Sequence, residues 1–141
     1  MCSNQFVRSA ALLLAAALCA AGAPGCNPGP KTGDVNGKVT FKGKPVSEGT
    51  VNFINPTAGG TADAPINPDG TYSAKGVVVG EYVVTINPPI EIRDTDPGKT
   101  PPTPVEKNSP NIPLKYRQQG SSKLTASVKA GKNDIDFAMQ P

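Results

Sequence analysis

The sequence predicts an all-β fold, an antiparallel sandwich of seven short strands, and three observations lead there. Apolar and polar residues alternate with a period of two in run after run. The runs are four to eight residues long and bounded by Gly, Pro, Asn and Asp. After residue 33 no stretch shows the 3.6-residue period of an amphipathic helix. The clearest region is 37–53, GKVTFKGKPVSEGTVNF. There Val35, Val39 and Phe41 share one parity against Lys38, Thr40 and Lys42, and Val51 and Phe53 alternate with Thr50 and Asn52.

In order, Gly37–Phe41 and Thr50–Phe53 read as a first hairpin turned by Gly43-Lys44-Pro45. Asn55–Gly60 is a break and Thr61–Ile66 a weaker strand. Asn67-Pro68-Asp69-Gly70 is turn chemistry, because Pro presets one backbone angle and Gly accepts a positive one. Thr71–Lys75 returns with Tyr72 and Ala74 inward, Gly76–Gly80 bends, and Glu81–Ile86 alternates with Tyr82, Val84 and Ile86 on one face. Lys123–Lys129 and Asp134–Met139 read as a last hairpin about Ala130–Asn133. The first points Leu124, Ala126 and Val128 inward, the second Ile135, Phe137 and Met139. The predicted core is Val35, Val39, Phe41, Val51, Phe53, Tyr72, Tyr82, Val84, Ile86, Leu124, Val128, Ile135 and Phe137. Each of these stabilises by about 1.5–3 kcal/mol on burial, most of it offset by chain entropy.

Between Asn87 and Pro113 the alternation stops. Eight prolines, Pro88, Pro89, Pro97, Pro101, Pro102, Pro104, Pro110 and Pro113, exclude this segment from a central strand, since each removes a ladder donor. A loop of this length in a compact domain is commonly functional or mobile, so 87–113 is the segment to search for a binding role.

The chain of 141 residues has room for one domain. Residues 10–23, AALLLAAALCAAGA, form an uncharged apolar run behind Arg8. At fourteen residues the run is too short for a bilayer span of about 20, and it suits the central region of a secretory signal. Ala21-Gly22-Ala23 resembles an ordinary signal-peptidase site, but Pro24 would then lead the mature chain. Ala23-Pro24-Gly25-Cys26 resembles a bacterial lipobox, in which small residues precede a Cys that is acylated and becomes the mature N-terminus. Cys2 and Cys19 leave with the leader, so Cys26 is the sole remaining thiol and has no internal disulfide partner. The predicted organisation is a lipoprotein signal peptide at 1–25, a Gly/Pro-rich tether at 26–33 and a domain at 34–139. The expected address is the bacterial cell envelope, periplasmic or outer-membrane, with the membrane held through lipid on Cys26.

Loss of Arg8 from the fourteen basic residues leaves thirteen against eleven acidic ones, a formal +2 for 26–141. The charges are interspersed, and no basic face with aromatic interleaving is visible, which argues against nucleic acid. His is absent, which removes Ser-His-Asp and Cys-His catalysis and His-containing zinc sites. No GxSxG or SxxK context occurs. Asp134 and Asp136 read as a solvated strand face rather than an acid–base pair. Asp94-Thr95-Asp96, with Glu91 nearby, would offer hard oxygen ligands to Ca²⁺, but a lone DxD in a polar loop is a weak signal and a solvated loop is the better reading. Pro101–Pro104 fits a PxxP pattern and reads better as a stiff extended loop. Tyr116 is expected to pack against the domain rather than present its ring to a ligand.

GKVTFKGKPVSEGTVNF, then NPDGTY, GEYVVTI, IPLKY and LTASVKAGKNDIDFAM, resembles the carboxypeptidase regulatory-like family, as found in small bacterial lipoproteins. The resemblance covers 34–139. It implies a prealbumin-like (transthyretin-like) Greek-key sandwich of seven strands. It also implies a non-catalytic accessory or adhesion-like module, and with the residue reading above the expectation is no cofactor, no metal, and an envelope protein or polysaccharide as partner. A carbohydrate-binding module is the alternative function, weakened by the absence of Trp.

Overall fold

The computed structural model describes residues 29–93 and 103–141. The chain is all-β. Its strands are β1 (Thr32–Phe41), β2 (Lys44–Pro45), β3 (Thr50–Ile54), β4 (Thr61–Pro65), β5 (Thr71–Val78), β6 (Gly80–Asn87), β7 (Ile90–Arg93), β8 (Thr103–Glu106), β9 (Leu124–Val128), β10 (Gly131–Asp134) and β11 (Phe137–Met139). One 3₁₀ turn, Leu114–Tyr116, interrupts them.

Two sheets face each other across one core. In the first, β1 lies at the centre, flanked by β5 and β2 on antiparallel registers and by β10 and β11 on parallel ones. The second runs β4-β3-β6-β9 and is antiparallel throughout. Phe53 of the second sheet bridges the gap. Its ring lies 6.0 Å from Tyr72 and 6.2 Å from Phe137 of the first sheet, and 6.1 Å from Tyr82 of its own.

Two of the expected hairpins do not form. β1 and β3 lie in opposite sheets. Lys42 and Gly43, with φ of 50° and 77°, turn the chain only as far as β2. Fully buried Val46 and left-handed Gly49 then carry it across the core edge to β3. Likewise β9 pairs with β6, whereas β10 and β11 lie beside β1. Asn133 ties that second crossing: its amide accepts from Lys129 N at 2.9 Å and donates to Lys129 O at 2.8 Å and Gly131 O at 3.1 Å. The crossing sends β10 up alongside β1 in the same direction, so the expected purely antiparallel arrangement is corrected to a mixed one. Ala130–Asn133, expected as a turn, contains the first three residues of β10.

Of the thirteen predicted core residues, Phe41, Leu124 and Ile135 are only partly buried against the cluster, and the rest are buried. Ile135 falls where the chain pivots between β10 and β11. The core also contains Val46, Ile66, Val77, Ile112 and Tyr116. Val77 faces inward because Gly76, at φ 66°, forms a bulge: three residues from Ala74 to Val77 span the step from Val35 to Gly33, and the inward parity changes. The expected bend at 76–80 is therefore a bulge inside β5. β1 begins at Thr32, so pairing starts inside the segment read as tether.

The molecule has two distinct ends. Thr32 pairs with Val78, and Lys31 O accepts from Val79 N at 2.9 Å, so the N-terminal segment enters where β6 starts. β6 runs to Asn87 at the opposite end, where Asn87 pairs with Thr50.

Candidate functional site

The 87–113 segment leaves from the far end of β6. Its described residues are not a structureless loop, as the proline content suggested. Ile90–Arg93 and Thr103–Glu106 pair with each other as a separate antiparallel ribbon, with Ile92 opposite Pro104 and Ile90 opposite Glu106. The prolines act here as expected: the ribbon joins neither large sheet.

Behind the ribbon the chain is fastened to the domain. Glu48, in the β2–β3 crossover, accepts from Lys107 Nζ at 2.6 Å and from Ser109 Oγ at 3.0 Å. The hydrogen bond from Lys107, and then that from Ser109, hold the Glu48 carboxyl below the ordinary carboxylate range, and the same contact raises Lys107. Arg117 donates to Ile112 O at 2.8 and 3.0 Å, to Ser109 O at 3.2 Å and to Glu106 Oε2 at 3.1 Å. Ile112, within this strap, is fully buried in the core. Tyr116 is buried and its hydroxyl accepts from Gln140 N at 3.0 Å, so it packs, as expected, and holds the C-terminal segment.

The ribbon itself is exposed. Ile90 and Ile92 are 69% and 73% accessible. Since directly opposed residues share a face, Ile90, Glu106, Ile92 and Pro104 lie on one side of the ribbon. Ile90 and Glu106 border an open groove of about 340 Å³. Pro88 and Pro89 line it as well, together with Thr50, Asn52 and Asn87 from the outer face of the second sheet. Asn52 Nδ2 donates to Thr85 Oγ1 at 3.3 Å. Asn87 Oδ1 is buried and, among the described residues, is the one buried side-chain polar atom without a hydrogen-bond partner.

The other candidate residues fall apart from this groove. Cys26 and Asp94-Thr95-Asp96 lie outside the described residues, as do Pro101 and Pro102, while Pro104 sits in β8. Among the described residues no group of three or more His, Cys, Asp or Glu could hold a metal ion. Asp134 and Asp136 are exposed, and Asp136 Oδ1 accepts from Lys38 N at 2.7 Å, a backbone-holding contact. Asp69 accepts from Thr71 Oγ1 at 2.6 Å and Thr71 N at 3.0 Å, which lowers its pKa and marks it as a turn residue. Tyr72 is raised, chiefly by burial and then by Asp136, and donates to Ile135 O at 2.5 Å. The Tyr82 hydroxyl donates to Val78 O at 2.7 Å. Sequence reasoning missed Asn52, Asn87 and Arg117: two sit at outward strand positions like many others, and the third lies in a segment without periodicity.

Among the described residues no helix is long and apolar enough to cross a membrane. No family model matches the chain, and no curated protein matches it. Among solved structures, the crystal structure of a 9R-lipoxygenase from Cyanothece aligns with a TM-score of 0.43 and 9% identity, over 79% of this chain and 16% of that one. The chain thus spans about a sixth of that protein's length, and a likeness of this degree carries no argument about fold or chemistry.

Proposed function

We propose that the chain is a non-enzymatic lipoprotein of the bacterial cell envelope, anchored through lipid on Cys26, whose domain presents a protein-interaction surface away from the membrane. In this reading the two sheets are a prealbumin-like sandwich of the carboxypeptidase regulatory-like kind, with β10 and β11 together acting as one seventh strand. The observation that carries the proposal is the polarity of the domain. Its N-terminal entry, at Lys31 and Thr32, and its exposed ribbon lie at opposite ends of β6. The eight residues of β6 separate those ends by about 23 Å at roughly 3.3 Å per residue. Six residues from Cys26 to Thr32 reach at most about 20 Å, so the anchored end stays close to the bilayer and the ribbon faces outward.

The non-enzymatic part is supported by the fate of the polar side chains. The Glu48, Lys107 and Ser109 cluster and Arg117 spend their hydrogen bonds on holding the 107–117 strap. The anchor is tested by intact mass and fractionation. The mature protein should begin at Cys26 and carry acyl mass, and Cys26→Ser should move it from the membrane to the soluble fraction. An unmodified N-terminus at any other residue refutes the anchor.

A further inference from the structure

We infer that the end of the domain at which the N-terminal segment enters is a basic face that lies against anionic phospholipid headgroups. The inference rests on the anchor proposed above and deepens it, by naming the surface that the anchored domain turns to the bilayer and the lipid chemistry that surface meets.

Three observations carry it. The first is that separate stretches of the chain bring four lysines to this one end. Thr32 pairs with Val78, Gly33 with Gly131 and Asp34 with Lys132. A Cβ on Gly33 would lie 2.1 Å from Lys129 O, so the turn between β9 and β10 is pressed onto the start of β1. Lys31, Lys129 and Lys132 thus come from chain segments about 4.8 Å apart. Lys75 joins them from β5, where the adjacent Gly76 N donates to Asp34 Oδ1 at 3.0 Å. All four lysines are exposed, and among the described residues none has an ion-pair partner.

The second observation is charge balance. The carboxylates at this level are Asp34 and Glu81, and each is spent on a neighbouring strand, Asp34 on Gly76 N and Glu81 on Ser127 Oγ at 2.6 Å. Four lysines against two carboxylates leave this end at +2. Of the thirteen basic and eleven acidic residues in 26–141, nine of each remain elsewhere, so the whole net charge resides at this end. At the opposite end Lys107 is held by Glu48 and Arg117 by Glu106.

The third is reach. Five residues lead from Cys26 to Lys31, at most about 18 Å when extended, and any slack brings the lysines within the Debye length of about 10 Å at 0.1 M salt. Lysine stems can extend past the backbone and carry their charges to lipid phosphate. Val78, 40% exposed beside Thr32, gives the same end an apolar side chain, and interfacial surfaces combine the two kinds in this way. Each lysine held near an anionic bilayer strengthens the contact about fivefold.

The test is acetylation of lysines in the full chain, reconstituted in vesicles of phosphatidylcholine alone or mixed with phosphatidylglycerol, and read by peptide mass spectrometry. Lys42 and Lys44, beyond the far end of β1, are the internal reference. At about 0.01 M salt, labelling of Lys31, Lys75, Lys129 and Lys132 relative to that reference should fall about fivefold in the phosphatidylglycerol vesicles. At about 1 M salt the difference should vanish. Replacing both Lys129→Gln and Lys132→Gln should restore labelling at Lys31 and Lys75. Both replaced residues are exposed, and unchanged labelling of Lys107, which Glu48 holds, will show that the variant folds. Equal ratios in the two vesicles, protection that survives about 1 M salt, protection at Lys42 and Lys44 instead, or unaltered protection in the double variant would each overturn the inference. So would equal protection by the free headgroup, glycerophosphoglycerol, because the proposed partner is a charged plane. Flotation with the phosphatidylcholine vesicles reads the lipid on Cys26 alone, so a failed anchor appears there and a failed basic face only in the labelling ratio.

Discussion

Arg117 is where a single side chain does most to shape the surface. With its side chain 14% exposed, it donates to two backbone carbonyls and a carboxylate, and so fixes a segment that has no strand partner of its own. Hydrogen bonds from charged donors contribute about 1.5–3 kcal/mol each, and the carbonyls left behind would be partly buried. Arg117→Ala should therefore cost about 2–3 kcal/mol in urea unfolding and speed hydrogen exchange at residues 107–113. Glu48 acts on the same strap with a sign that can be worked out. Its pKa is lowered in the folded state, so its contribution is complete above the ordinary carboxylate value of 4.5 and is lost as pH falls through the lowered one. Lys107 is raised, so its share persists to its ordinary 10.5 and is lost as pH rises through the raised value. Both side chains remain in contact with water, so solvent screens the pair and its share of the stability is small. Glu48→Gln should be less stable than wild type near neutral pH, and the gap should close in acid below the lowered pKa. Gly37 is held by geometry instead: a Cβ there would sit 1.8 Å from Ile135 O, a backbone atom that cannot rotate away. Gly37→Ala should cost more than about 3 kcal/mol, read by thermal or urea unfolding.

Among the elements, the strands of the second sheet and the ribbon differ in support. β3 and β6 each have neighbours on both sides, whereas β7 and β8 have only each other. A two-stranded ribbon alone is marginal in water, so its amides should exchange well before those of β3 and β6, a ranking that hydrogen-exchange mass spectrometry reads directly. The same contrast explains what the sequence made legible. The alternation at Tyr82, Val84 and Ile86, or at Val51 and Phe53, reports which face of a strand is buried, and there the sequence and the structure agree. It contains nothing about which strand lies alongside. From sequence the β1–β3 and β9–β10 connections read as hairpins because neighbours in sequence usually pair. The crossings that replace them depend on Val46, Gly49 and Asn133, residues whose roles exist only once both sheets are present. Gly76 was legible as a break but not as a bulge, because its effect is to move Val77 rather than to end the strand. The groove was legible only as a segment: the prolines marked 87–113 as exceptional, but Asn52 and Asn87 come from strands on either side of a pairing the sequence does not specify.

For the molecule as a whole, orientation decides what the proposed anchor and the ribbon can reach. One end receives the N-terminal segment and the other bears the ribbon and groove, so a lipid at Cys26 would turn the groove toward a partner rather than toward the bilayer. The full sequence contains three cysteines, Cys2, Cys19 and Cys26, so under the proposed cleavage before Cys26 and its acylation no other thiol would remain, which would permit clean labelling at one introduced site. Val78 is 40% and Ile92 73% exposed, and they mark the two ends. The measurement is fluorescence quenching of the membrane-bound protein, labelled at Val78→Cys or at Ile92→Cys, by a quencher fixed to the lipid headgroups. The account expects strong quenching at position 78 and little at position 92. Equal quenching at both, or stronger quenching at position 92, would contradict it.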